Sequence, residues 1–132
     1  MTGEVRYFAA DAEYQAELTR RRIAEAECDP LTVRYLLRLG VGGGWRCLEV
    51  GAGAGSIVRW LSDRVGPNGS VVAADIDTRF LEDLSERNIQ VRRSTARTRS
   101  LAGSTPRLRS GSKRFMTARR TRPGSRRIAP WR

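Results

Sequence analysis

The sequence predicts an α/β fold: a short parallel sheet with helical crossovers, preceded by helices and followed by a tail of different character. Three observations carry this. Between residues 45 and 91, apolar runs of strand length alternate with helix-length amphipathic stretches, the pattern of a parallel sheet with right-handed crossovers. A run of alternating glycines, Gly51-Ala52-Gly53-Ala54-Gly55, separates the first strand-like run from the first of those helices. The charge is also divided: residues 1–92 carry 12 arginines and all 14 acidic residues, whereas residues 93–132 carry 13 basic residues and no carboxylate. With 132 residues in all, the chain has room for one small domain.

The elements follow in order. Residues 7–27 read as a helix with a narrow apolar stripe, because Ala10, Tyr14 and Leu18 stand four residues apart. Asp29-Pro30 signals a restart, the aspartate as cap and the proline at the first helical position. In the second helix Leu31, Tyr35 and Leu39 recur every four residues, Leu36 widens that face, and Gly40 is placed to stop it. Residues 1–44 thus form an N-terminal helical cap ending in the flexible joint Gly42-Gly43-Gly44. Residues 45–50 are a strand. Residues 56–65 are a helix with Ile57, Trp60, Leu61 and Val65 on one side, closed by the breaker Gly66-Pro67-Asn68-Gly69. A second strand, 71–74, ends in Asp75. Asp77 or Thr78 can cap a third helix carrying Phe80, Leu81 and Leu84, and residues 88–91 form a third strand.

Composition removes several chemistries. With no histidine, the usual zinc pairings, a Ser-His-Asp triad and a Cys-His dyad are impossible. Cys28 and Cys47 are too few for a disulfide scaffold, and neither has a base beside it in sequence; Cys47 reads as a small buried apolar residue. No apolar run reaches the length of a membrane span and no signal peptide opens the chain, so no membrane partner and a cytoplasmic location are expected.

The glycine run has a physical use. Without Cβ atoms the backbone can turn sharply and approach a ligand closely, while the following helix aims its unpaired N–H groups at the same place. A carboxylate at the end of the next strand can reach the ribose hydroxyls of a nucleoside, and Asp75 lies 20 residues beyond Gly55. The blander alternative is a tight turn with Asp75 capping the next helix. The dinucleotide fingerprint G-x-G-x-x-G/A fits poorly, since the glycines fall as G-x-G-x-G.

The stretch from Leu48 through Ser56, followed by Val71-Val72-Ala73-Ala74-Asp75-Ile76-Asp77, resembles the first two motifs of class I S-adenosylmethionine-dependent methyltransferases. The likeness covers roughly residues 30–92 and implies a Rossmann-like fold with S-adenosyl-L-methionine as cofactor. It assigns Glu49, Gly51, Ala52, Gly53, Gly55, Asp75 and Ile76 to cofactor binding. The glycines would pass the methionine moiety, Glu49 would suit the ligand's cationic groups, Asp75 would grip the ribose and Ile76 would lie near the adenine. Glu49 as a hydrated strand-end carboxylate is the alternative, and Trp60 reads as core rather than an adenine platform. The implied activity is methyl transfer to an acceptor of small-molecule class; no catalytic base is assigned.

The family's sheet has seven strands, and this chain supplies candidates for three. Residues 45–92 therefore read as an incomplete Rossmann-like unit. Residues 93–132, dominated by Arg, Ser, Thr, Ala, Pro and Gly, read as a disordered tail unable to offset its ordering entropy. Two origins remain for it: a selected basic arm making non-specific nucleic-acid contacts, or a GC-rich gene read out of frame, which the abrupt break near Arg92 favours. The first of these defines a second functional class, a small α/β binding module that engages nucleic acid or another polyanion. Without a fourth parallel strand, the strand at 45–50 is expected to be an unprotected edge.

Overall fold

The computed structural model describes residues 2–94 and 115–120, with side chains from residue 9 to 94. The elements are helix α1 (Thr2–Arg38), strand β1 (Trp45–Val50), helix α2 (Ser56–Val65), strand β2 (Ser70–Asp75), a 3-10 turn (Thr78–Leu81), strand β3 (Ile89–Arg93) and strand β4 (Phe115–Arg120). They form an α/β unit with one four-stranded sheet in the order β3-β2-β1-β4. β1 pairs parallel with β2, and β2 with β3; β4 lies antiparallel on the other side of β1. Among the described residues no helix is long and apolar enough to cross a membrane.

Strand alternation sets the two faces of the sheet. Cys47, Val71 and Ala73 join Ile57, Val58, Leu61 and Val65 of α2 in the main core, while Leu48, Val72 and Ala74 form a smaller cluster on the opposite face. Glu49 and Asp75 alternate onto the same face as Cys47 and Ala73. Burial pushes the Cys47 thiol up to about 11, whereas Cys28 is half-buried. Alkylation with iodoacetamide at pH 8 is therefore expected to modify Cys28 and spare Cys47 in the folded protein, since the thiolate is the nucleophile. Peptide mapping reads the outcome, and equal labelling of both would place Cys47 outside the core.

Four expectations are corrected. The N-terminal region is one helix rather than two, with Pro30 inside it. Proline removes one backbone bond and crowds the preceding turn, but helix-favouring residues on both sides carry the helix through. The leucine spacing also misjudged the buried side: Leu31, Tyr35 and Leu39 are 55%, 39% and 58% exposed, while Leu36 is the buried residue at 3%. The reason lies at the helix end. Gly40 takes φ 74°, Gly40 N–H donates to Leu37 O at 3.0 Å and Val41 N–H to Leu36 O at 3.2 Å, the Schellman pattern. That turn folds Val41 back beside Leu36 into the core.

The third correction is that the expected helix after β2 is only the 3-10 turn Thr78–Leu81, capped by Asp77, whose side chain accepts from the Arg79 N–H. Phe80 and Leu81 are buried there, so the apolar positions reach the core without a full helix. The fourth concerns the tail. The third strand runs to Arg93, with Ser94 N–H donating to Asp75 O at 2.9 Å. Within the segment expected to lack structure, Phe115–Arg120 forms β4. It pairs with all six residues of β1, so β1 is an interior strand and not an open edge. Backbone pairing needs no apolar pattern, which is why the composition of the segment did not disclose it. The remainder of the expected tail, residues 95–114 and 121–132, lies outside the described residues.

Candidate functional site

The glycine run leaves β1 and turns into α2 with Gly51, Gly53 and Gly55 at φ 77°, 62° and 87°, a conformation L side chains rarely adopt. Gly51 N–H and Ala52 N–H both donate to Ala74 O, at 2.8 and 3.2 Å, which ties the loop to the carboxyl end of β2. Gly55 is doubly constrained. Besides its positive φ, a Cβ there would meet Leu81 Cδ2 at 3.2 Å and Leu84 Cδ1 at 3.3 Å.

Asp75, 7% exposed, is the hub of the site. Its Oδ2 accepts from Gly53 N–H at 2.9 Å and its Oδ1 from Asp77 N–H at 3.0 Å. The loop and the acid separated by 20 residues in sequence are therefore in direct contact. The Asp77 bond is a local turn of the kind the blander sequence reading anticipated; the Gly53 bond is not. Glu49 is buried at 1%, which excludes the hydrated strand-end alternative. Ala52 is buried at 1% and Ile76 is 69% exposed. Ile76 lines an open cleft of about 540 Å³ together with Asp77, Thr78, Arg79 and Arg93. Trp60 packs partly buried against the core.

Sequence reasoning missed the contribution of α1. Glu25, 6% exposed, places Oε1 2.8 Å from Ala54 N–H and accepts from it. Arg21 lies 3.7 Å from Asp75 Oδ2, donates to Glu17 Oε1 at 2.8 Å, and stacks its guanidinium over Phe80 at 4.5 Å. Tyr14 stacks on the same ring, centroids 4.8 Å apart. A signal was present: Tyr14, Leu18, Arg21, Glu25, Cys28, Thr32 and Leu36 follow one another in steps of three or four, so the face that ends in buried Leu36 carries Arg21 and Glu25.

Charge pairing trims the surface around this site. Arg20 and Arg21 hold the Glu17 carboxyl down to about 2, and the Arg79 guanidinium holds Asp77 down to about 2. An acid whose folded value lies below its ordinary 3.8 favours the folded state above that ordinary value, and the contribution fades as pH falls toward about 2. The Asp77 cap is therefore expected to stay ionised at pH 3. Carboxyl-carbon NMR should titrate Asp77 near 2, and Arg79→Met should bring it back toward 3.8; an unmoved midpoint would remove Arg79 as the cause.

No protein-family model, curated protein or solved structure matches this chain.

Proposed function

We propose that the chain carries the cofactor-binding half of an S-adenosylmethionine-dependent methyltransferase. The observation that supports this best is the direct bond between Gly53 N–H and Asp75 Oδ2 at 2.9 Å, which joins a left-handed glycine loop to a carboxylate at the end of the adjacent strand. The chemistry of the surroundings suits the group. Glu49 and Asp75 are carboxylates at least nine-tenths buried, at the ends of the two strands that meet at the loop, and an acidic setting suits a ligand bearing an ammonium and a sulfonium. Gly51 and Gly53, both at positive φ, present backbone to the site without a Cβ.

When bound, S-adenosylmethionine supplies a methyl carbon made electrophilic by sulfonium. The residues of this chain bind and orient: the glycine loop passes the methionine portion, Asp75 accepts from the ribose hydroxyls, and exposed Ile76 offers apolar surface to the adenine. Catalysis of this kind is chiefly proximity and alignment, worth up to about 7–11 kcal/mol in well-oriented systems.

Gly53→Val tests the reading. A β-branched residue at φ 62° is strained and its side chain fills the ligand's approach. Calorimetry with S-adenosylmethionine is expected to show binding by the parent chain and none by the variant. Unchanged affinity would remove the loop from the site.

A further inference from the structure

Helix α1 is held to the molecule in two different ways on either side of Pro30. After it, Leu36 is buried and Val33 packs against the core, and the Schellman turn fixes the end. Before it, among the described side chains of residues 9–29, the buried residue is a carboxylate, Glu25. The contacts of this arm with the body include Glu25 on Ala54 N–H, Arg21 beside Asp75 and over Phe80 and Tyr14 against Phe80. Among the described side chains of this arm no apolar residue is buried, so its hold on the body is polar and stacking, and polar bonds of this kind can be exchanged for equivalent bonds to a ligand. Pro30 has no N–H to offer the Ala26 carbonyl, so the helix is weakest at the junction between the two parts.

We propose that the part of α1 preceding Pro30 is a hinged latch, and that Glu25 holds a loop amide which a carboxylate of the bound ligand must take over. Glu25 and Arg21 are one helical turn apart on the same face, and they hold adjacent parts of the site: Glu25 the Ala54 amide, Arg21 the Asp75 carboxylate. One outward swing about Pro30 releases both together. The amide becomes open to an oxyanion of the ligand, and Asp75, parted from Arg21, becomes open to hydroxyl donors. A charge-assisted bond from N–H to carboxylate is replaced by another of the same kind, so the exchange is close to balanced and the latch is reversible. The identity of the displacing ligand rests on the cofactor reading above; the latch itself does not.

Hydrogen exchange on the full chain separates the two. In the ligand-free protein, Glu25→Ala is expected to speed exchange across residues 9–29 and at the glycine loop by about tenfold. Glu25→Gln, which keeps an acceptor oxygen, is expected to return most of the protection. Pro30→Ala restores the missing helical bond and is expected to slow exchange in residues 22–29, which keeps the test decisive should Glu25→Ala not fold. Unchanged exchange in Glu25→Ala or Pro30→Ala overturns the latch. Titration with S-adenosylmethionine then reads displacement: Glu25→Ala is expected to bind several-fold more tightly than the parent, and equal affinity overturns the exchange of carboxylates. Absence of binding by every variant, with exchange responding as expected, overturns the cofactor reading and leaves the latch.

Discussion

Replacing Asp75 with alanine is expected to destabilise the fold by about 2–4 kcal/mol and to abolish nucleoside binding. The stability loss follows from what the carboxylate does without any ligand. Each of its oxygens accepts a backbone N–H, from Gly53 and from Asp77, and Arg21 stands 3.7 Å away. Alanine leaves two amides without that acceptor in a part-buried place and withdraws the charge facing a guanidinium that is only 17% exposed. Asp75→Asn keeps one acceptor oxygen and should recover part of the stability while still losing ligand affinity. Chemical denaturation and calorimetry on both variants check the two halves separately. A stable Asp75→Ala protein that still bound S-adenosylmethionine would detach the acid from both roles.

The contact between the glycine loop and Asp75 was legible in the sequence. Glycines between a strand and a helix, and an acid ending the next strand, are local signals with fixed physical reasons, and the loop and Asp75 came together as their spacing implied. The bounds of β1 and α2 coincide with the apolar runs at 45–50 and 56–65 because both are read by burial on a short, regular period. Glu25 and Arg21 were not legible in the same way. Their roles depend on which side of a 37-residue helix faces inward, and the spacing of Leu31, Tyr35 and Leu39 points to the other side.

The other departures have equally particular causes. A proline after aspartate is a strong start signal when judged locally, yet one missing bond is a small part of a long helix already docked through Leu36. Phe80 and Leu81 have the spacing of a helix, but a single 3-10 turn buries both, so the short link between β2 and β3 needs nothing longer. β4 was invisible for a deeper reason. An antiparallel strand added to an existing edge is selected by backbone pairing with β1, and an arginine-rich composition says little about that.

Replacing Gly69 with alanine is expected to be the most damaging single-methyl change outside the site, costing about 3 kcal/mol and lowering the melting midpoint by roughly 10–20 °C. The added Cβ would overlap Val65 Cβ, stand 2.5 Å from Val65 Cγ2 and lie 2.7 Å from Trp45 O. Neither neighbour can step aside: Val65 is 1% exposed in the core, and the Trp45 carbonyl belongs to the backbone of β1. Relief must therefore come from moving the start of β2, which begins one residue later and pairs Ser70 with Arg46. The other end of β2 holds Asp75 against Gly53, so a shift of its start is expected to weaken that bond as well. Gly43→Ala is the matched control. A Cβ at Gly43 meets nothing within 4 Å, and this substitution should leave the midpoint nearly unchanged. Calorimetric melting of both variants, with S-adenosylmethionine affinity measured on whichever remains folded, distinguishes a packing defect transmitted along β2 from a general loss of turn flexibility; equal midpoints for the two would refute the packing account.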